Sequence, residues 1–184
     1  MNRNELEHII RAAGDIAKVQ EVIILGSQSV LGQYPELSYK ADNSESREIM
    51  IRSMEADIMI PESEEKTELV ETIIGELSSF HDTFGYYAQG VDHTTSNLPE
   101  GWRDRLIKIC NENTNHITGL CLEIHDLTIS KLYAGREKDT EFFHAAVKNG
   151  LVSMRILLQR LSDTPMSEER KSIIEQRIKK GFSK

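Results

Sequence analysis

The hydrophobic positions of this chain follow two different periods, and each period predicts a different element. Near the start, apolar side chains recur every three or four residues over 4–19, which is typical of an amphipathic helix. The runs EVIIL (21–25) and EADIMI (55–60) are short, aliphatic and rich in β-branched residues, which predicts two strands. Between them, residues 27–35 are predicted to form a short helix, and the Pro, Asp, Asn and Ser residues of 34–46 predict a loop.

The rest of the chain continues this alternation and ends in helices alone. Residues 63–80 predict one helix in which Leu69, Ile73 and Leu77 share a face. The order of elements predicts an α+β fold, a mixed sheet flanked by helices with a C-terminal helical segment. We expect a core over residues 1–125 and a helical segment over 126–184 that packs on this core. Further strands are predicted over 86–91, 106–109 and 120–124, and further helices over 127–135, 137–150, 153–163 and 167–180.

Composition and charge narrow the range of partners. The 184-residue chain carries a formal net charge of −8 at pH 7, which disfavours broad binding to nucleic acid. The segment from Arg170 to Lys184 is basic, which favours either an RNA or acidic partner or a solvated final helix. No apolar run spans a membrane and no signal peptide is recognisable, so we expect a cytoplasmic protein without a membrane partner. Cys110 and Cys121 form no C-x-x-C motif and are expected to be buried thiols.

Glu55 and Asp57 are the first candidates for chemistry. Side chains two residues apart on a strand project from the same face, so the two carboxylates are expected to be neighbours. A divalent cation relieves their mutual repulsion, and Mg²⁺ is usually held by one or two carboxylates together with water and phosphate oxygens. The alternative is an exposed edge strand that carries two solvated acids.

Gly26 and Ser27 follow the first predicted strand and form the second candidate site. A glycine lets its backbone approach a ligand closely, and the N–H groups that begin a helix suit a phosphate. Ser27 and Ser29 would add hydroxyl donors. The alternative is a plain turn from strand to helix, since the segment matches neither the phosphate loop of the P-loop enzymes nor the dinucleotide-binding fingerprint.

Taken together, the two features carry a resemblance. A strand that ends in Gly26-Ser27, followed by a strand with the acid-x-acid pattern of Glu55 and Asp57, resembles the nucleotidyltransferase superfamily with its DNA polymerase β-like fold. The resemblance implies a nucleotidyltransferase-like core in which Gly-Ser holds a triphosphate. It also implies that the carboxylates hold Mg²⁺, with two ions possible. Glu55 departs from the superfamily pattern, in which the first acid is usually Asp.

A longer likeness covers roughly residues 5–150. The run from Leu120 to Asp139 is similar to a bacterial family of nucleotidyltransferase-like proteins related to abortive-infection type nucleotidyltransferase toxins. The Thr-x-x-Lys and Lys-Asp segments of those toxins match Thr128 to Lys131 and Lys138-Asp139. The resemblance implies catalytic or nucleotide-binding roles for Lys131, Arg136, Lys138 and Asp139, in which the cations contact phosphates and Asp139 orients a lysine.

The third metal-binding carboxylate is expected to be Glu123, because we predict that it projects from a strand. Asp126 is the second choice, although it and His125 are also predicted to cap the following helix. The expected function is therefore a Mg²⁺-dependent transfer of a nucleoside monophosphate from a nucleoside triphosphate to an unknown acceptor. The resemblance implies RNA or protein as acceptor and an antitoxin as a possible partner. The alternative is an inactive nucleotidyltransferase fold that serves as a nucleotide-binding or protein-interaction module.

Overall fold

The predicted α+β architecture with a mixed sheet is confirmed. The computed structural model describes residues 1–38, 45–61, 63–92 and 96–183. Its sheet has five strands in the order β3-β2-β1-β5-β4. The pairs β1–β5 and β2–β3 are parallel, whereas β1–β2 and β4–β5 are antiparallel. The strands are β1 (Glu21–Ile24), β2 (Glu55–Met59), β3 (Tyr87–Gly90), β4 (Ile107–Ile109) and β5 (Thr118–Cys121).

Helices flank the sheet and form the whole C-terminal part of the chain. In the described ranges, short 3₁₀ segments also occur at Ser27–Ser29, Pro35–Ser38 and Trp102–Arg105. None of the helices in the described parts of the chain is long and apolar enough to cross a bilayer. The helices are α1 (Arg3–Ala17), α2 (Val30–Gln33), α3 (Glu45–Ile51), α4 (Glu64–Ile74), α5 (Ser79–Phe84), α6 (Ile124–Ala134), α7 (Glu137–Lys148), α8 (Met154–Ser162) and α9 (Glu168–Phe182).

The two faces of the sheet have different surroundings. One face packs on α1 and α4, and a Cβ atom at Gly119 would lie 2.4 Å from Ile10 Cδ1, so α1 lies very close to β5. On the other face, the strand register aligns Ile23 with Met59 and with Leu120. Because side chains alternate along a strand, this second face also carries Glu55 and Asp57. The candidate chemistry thus lies on the face opposite α1.

The predicted single helix over 63–80 is wrong. Gly75 ends α4, and the chain restarts as α5 with Ser78 as its N-cap. The face with Leu69, Ile73 and Leu77 is exposed by 45, 47 and 84 %, because α4 turns Val70 and Ile74 toward the core instead. The spacing of apolar residues in this segment does not determine which face of the helix packs on the core. The loop predicted over 34–46 contains a 3₁₀ turn and the start of α3, while 39–44 lie outside the described residues.

The basic C-terminal segment forms α9, and two of its cations contact the end of α6. Arg177 donates to the carbonyl of Leu132 at 3.2 Å, and Arg170 donates to the carbonyl of Tyr133. These guanidinium groups satisfy carbonyls that a helix end leaves unpaired. Buried residues of α6 to α9 share one hydrophobic core with the sheet. The division between 125 and 126 stays a prediction, and it would fall in the first turn of α6.

The two thiols differ from each other. Cys121 is buried at the end of β5, as predicted, and burial raises the pKa of its thiol to about 12. Cys110 is exposed, so the prediction that it is buried is wrong. Its thiol donates to the carbonyl of His116 at 3.4 Å in the turn between β4 and β5. The apolar residues before Cys110 form β4, which lies at the edge of the sheet and ends at the buried Ile109. Cys110 follows the strand and lies on the surface.

Candidate active site

Gly26 lies directly against the carboxylate of Asp57. The N–H of Leu25 donates to the carbonyl of Asp57 at 2.9 Å, which continues the pairing of β1 with β2 beyond Ile24. A Cβ atom at Gly26 would lie 1.6 Å from Asp57 Oδ2. The φ angle of Gly26 is −87°, which any residue adopts, so the glycine is required by space and not by backbone conformation. The Gly-Ser and acid-x-acid motifs therefore meet in one site.

This contact predicts a coupling between positions 26 and 57. Gly26→Ala should lower the free energy of unfolding by about 1–3 kcal/mol, because the new methyl group overlaps the Asp57 carboxylate. In the Asp57→Ala background the same change should cost less, because the overlap with the carboxylate is gone and only the Cβ of residue 57, at 2.9 Å, remains too close. Denaturant unfolding of the four proteins measures the coupling, and equal costs in both backgrounds would contradict the contact.

A cleft opens over these motifs. It has a volume of about 130 Å³, and Glu55 and Asp57 face it together with cations from α6 and α7. A second cavity of about 190 Å³ adjoins it and is lined by Glu55, Lys131 and Lys138 as well. The cleft therefore places two carboxylates opposite three cationic side chains. The polar residues that line it are Gly26, Ser27, Glu55, Asp57, Ser96, Ser130, Lys131, Arg136 and Lys138.

Three cations lie near Asp57 without pairing with it, and the charges of Lys131, Lys138 and Arg136 lower its pKa. Among the described residues, its carboxylate forms no salt bridge and accepts no hydrogen bond. Burial, with a smaller contribution from the neighbouring charge of Glu55, raises the pKa of Asp57 to about 6. A half-buried carboxylate with a raised pKa that faces a cleft is typical of a functional group. A divalent cation bound between Asp57 and the neighbouring carboxylate of Glu55 would remove both the burial cost at Asp57 and the repulsion between the two charges.

Glu55 has two neighbours that orient it. The hydroxyl of Tyr87 donates to Glu55 Oε2 at 3.3 Å, and Lys138 Nζ lies 3.8 Å from Oε1. Burial, followed by the charge of Glu55, raises the pKa of Tyr87 to about 12, so this hydroxyl stays protonated and able to donate. Tyr87 has no signal in the sequence, because only the parallel pairing of β2 with β3 places it beside Glu55.

The cations of the cleft are organised by Asp139. Lys131 Nζ lies 3.2 Å from Asp139 Oδ1, and Arg136 Nε donates to Oδ2 at 2.7 Å. Burial raises the pKa of Asp139, but the hydrogen bonds from Arg136 and Lys131 outweigh it and leave the pKa lowered. Asp139 is fully buried and does not line the cleft, so its geometry is that of a positioning residue. Lys131 also lies 4.8 Å from the centre of the Phe142 ring.

The two candidates for a third metal-binding carboxylate do not line the cleft. Glu123 does not project from a strand, so that prediction is wrong: β5 ends at Cys121, and Glu123 is the N-cap of α6. Its carboxylate accepts from the N–H of His125 at 3.0 Å and bonds the same residue's ring at 2.6 Å. The predicted cap, Asp126, instead binds Arg105 at 2.8 Å and Arg160 at 3.1 Å. Both carboxylates are thus occupied by structural contacts.

Ser29 is also turned away from the cleft. Its hydroxyl donates to the carbonyl of Gly26 at 2.7 Å, and its side chain is buried. This bond holds the turn after β1 and leaves Ser27 as the serine of this motif that lines the cleft. Ser130 on α6 lines the cleft as well, although it was not among the residues predicted for the site.

The donor set fits Mg²⁺ with two protein ligands. Within residues 1–38, 45–61, 63–92 and 96–183, no group of three or more His, Cys, Asp or Glu side chains is placed to hold a metal ion. Among the described residues that line the cleft, Glu55 and Asp57 carry the carboxylate oxygens. This agrees with the usual binding of Mg²⁺, in which water and substrate phosphate complete the coordination.

Comparison with known proteins gives the family. No curated protein and no solved structure matches the chain. Residues 4–181 match the model of a family described as "Nucleotidyltransferase of unknown function (DUF6036)". The match spans the sheet, the cleft and all the C-terminal helices down to Gly181. With that coverage, and with the two nucleotidyltransferase motifs in contact at Gly26 and Asp57, the chain belongs to this family of nucleotidyltransferases.

Proposed function

We propose that this chain transfers a nucleoside monophosphate from a nucleoside triphosphate to a hydroxyl group of an acceptor, with Mg²⁺ as cofactor. The observation that carries the proposal is the contact of Gly26 with Asp57 in a cleft that has carboxylates on one side and cations on the other. Glu55 and Asp57 would hold Mg²⁺, with two ions possible. The acceptor is any hydroxyl-bearing molecule, RNA and protein included, and an antitoxin remains a candidate partner.

The residues of the cleft divide the work by charge. When bound, Mg²⁺ would neutralise phosphate charge and clamp reacting oxygens. Lys131, Arg136 and Lys138 would offset the negative charge that accumulates on the triphosphate and pyrophosphate, and the backbone at Gly26 and Ser27 would donate N–H groups to a phosphate. Asp139 would keep Lys131 and Arg136 in place before the substrate arrives, which lowers the cost of ordering them.

Nucleotide binding tests the proposal. ATP, GTP, CTP and UTP are titrated into the protein by calorimetry, with Mg²⁺ and with EDTA. We expect binding of at least one of them to need Mg²⁺ and to weaken at least ten-fold in Asp57→Asn. Asp15→Asn is the matched control, because Asp15 is an exposed aspartate on α1 away from the cleft. Binding that does not depend on Mg²⁺, or that survives in Asp57→Asn, would refute the metal-site reading.

A second candidate function is that of a nucleotide-binding or interaction module without catalysis. The commitment of Glu55 to Tyr87 and its place near Lys138 favour this alternative, because a carboxylate held by neighbours is less free to bind a metal. Pyrophosphate release separates the two. A module would bind nucleotide without releasing pyrophosphate in the presence of cell extract, whereas a transferase would release it and lose that release in Asp57→Asn.

A further inference from the structure

A groove adjoins the cleft on the same face of the sheet. It has a volume of about 870 Å³, and Ile23, Met59 and Leu120 form its apolar floor. Arg103 and Leu106 form its opposite wall. Val91 lines both the groove and the cleft, so the two spaces adjoin each other. A volume of this size is typical of a pocket for a small molecule, for which about 300–1,000 Å³ is usual.

The polarity of this face changes along β2. Glu55, Asp57 and Met59 follow one another on it, so Asp57 lies between the cationic cavity and the apolar groove. The cavity on the Glu55 side carries Lys131 and Lys138, which suit a triphosphate. The groove on the Met59 side offers an apolar floor, which does not suit a triphosphate. The two sides of Asp57 are therefore built for substrates of different chemistry.

The charges that line the groove are mainly acidic. Among the described residues that line the groove, Glu21 and Glu64 contribute carboxylates and Arg103 contributes a guanidinium. That guanidinium lies 4.4 Å from the centre of the Trp102 ring, over which it stacks. Such a surface repels a polyanion and attracts a cation. A nucleic-acid strand would meet like charge here.

We propose that the groove binds the acceptor, and that the acceptor is a hydroxyl-bearing small molecule with an apolar part and a positive charge. This inference rests on the proposed nucleotidyltransferase function. The acceptor oxygen would form a bond to the α-phosphorus as the bond between the α-phosphorus and its bridging oxygen to the β-phosphate breaks. Pyrophosphate leaves with that oxygen, and the hydroxyl proton passes to solvent. Asp57, between groove and cavity, marks where the two substrates meet.

A matched pair of probes tests the groove without nucleotide or metal. Tyramine and 4-hydroxyphenylacetate share a phenol and differ in the sign of their charge. They are titrated into the full chain in EDTA and followed by NMR. We expect tyramine to bind at least three-fold more tightly, and we expect Glu21→Lys/Glu64→Lys to reverse that preference. Glu65→Lys/Glu112→Lys is the control, because it changes the net charge equally at exposed positions outside the groove and should keep the preference.

Three results would overturn the inference. They are an unchanged preference in the groove variant, displacement of tyramine by a single-stranded RNA oligomer, and competition between tyramine and Mg²⁺–nucleotide in the wild type. Simultaneous binding of tyramine and nucleotide supports it. Failure of the proposed function is read separately, as absence of Mg²⁺-dependent nucleotide binding, since the probe titrations contain neither metal nor nucleotide.

Discussion

Asp57→Asn is expected to stabilise the metal-free protein at pH 7 by about 2 kcal/mol while it removes Mg²⁺-dependent activity. Burial and the neighbouring Glu55 raise the pKa of Asp57 from 3.8 to about 6, so ionising this carboxylate costs more in the folded protein than in the unfolded chain. Asparagine has nearly the same shape and carries no charge. Urea unfolding of both proteins in EDTA measures the difference.

The contribution of Asp57 to the free energy of unfolding should depend on pH. A carboxyl group with a raised folded-state pKa binds its proton more tightly in the folded protein, so its stabilising contribution is present below pH 3.8 and is lost as the pH rises through about 6. The free energies of unfolding of wild type and Asp57→Asn should therefore agree near pH 4 and diverge up to pH 7. If the difference in the free energy of unfolding between the two proteins stays constant across this range, the pKa of Asp57 is not raised in the folded protein.

Adding Mg²⁺ should reverse the ranking. A ligand that binds the folded state raises its stability by mass action, so Mg²⁺ with nucleotide should stabilise the wild type and leave Asp57→Asn nearly unchanged. If Asp57→Asn loses both the pH-dependent destabilisation and the stabilisation by Mg²⁺ with nucleotide, the same carboxylate that destabilises the free protein is the one that binds the ligand. The control Asp15→Asn should behave as wild type in both conditions.

The local order of elements could be predicted from the sequence, but the contacts between them could not. The strands EVIIL and EADIMI can be recognised from their residue types and spacing alone, and so can the glycine that follows the first and the two acids in the second. Their contact at Gly26 and Asp57 depends on the antiparallel pairing of β1 and β2, which no local pattern contains. The family resemblance supplied that information in place of geometry.

The wrong predictions share a physical cause. Glu123 could extend a strand or cap a helix. It caps α6, because its carboxylate then accepts a hydrogen bond from the N–H of His125. The apolar face with Leu69 obeys helical spacing, yet the core takes Val70 and Ile74 from the same helix. In each case the sequence allows two states, and either a capping hydrogen bond at Glu123 or core packing at α4 decides between them. Site residues such as Tyr87, which are recruited across strands, have no local signal at all.

Asp139→Ala is expected to lower the free energy of unfolding by about 3–5 kcal/mol, the largest loss of any exchange in the site. Asp139 is fully buried, and the side chain of its partner Lys131 keeps only 10 % of its exposure. Burial already lowers the pKa of Lys131, and the charge of Asp139 opposes that effect. Removing the carboxylate leaves an ammonium group in the interior without its anion. Guanidinium unfolding measures the loss.

Two comparisons separate this buried pair from an ordinary one. The pair of Arg52 and Glu141, 2.5 Å apart with half-exposed side chains, is the surface control, and Glu141→Ala should cost less than about 1 kcal/mol. The double variant Lys131→Met/Asp139→Ala should recover at least half of the stability lost in Asp139→Ala, because no unpaired lysine charge then remains buried. A loss in the double variant equal to the sum of the losses in Lys131→Met and Asp139→Ala would mean that the pair does not interact energetically.

The same double variant distinguishes stability from function. If Asp139 acts by holding Lys131 at the cleft, a protein with its fold restored but its ammonium replaced by a thioether still lacks a cation for the triphosphate. We expect its affinity for Mg²⁺–nucleotide to stay at least ten-fold below wild type while its unfolding transition returns toward the wild-type midpoint. Recovery of both properties together would assign Lys131 and Asp139 to the core alone and would leave Arg136 and Lys138 as the phosphate contacts of the site.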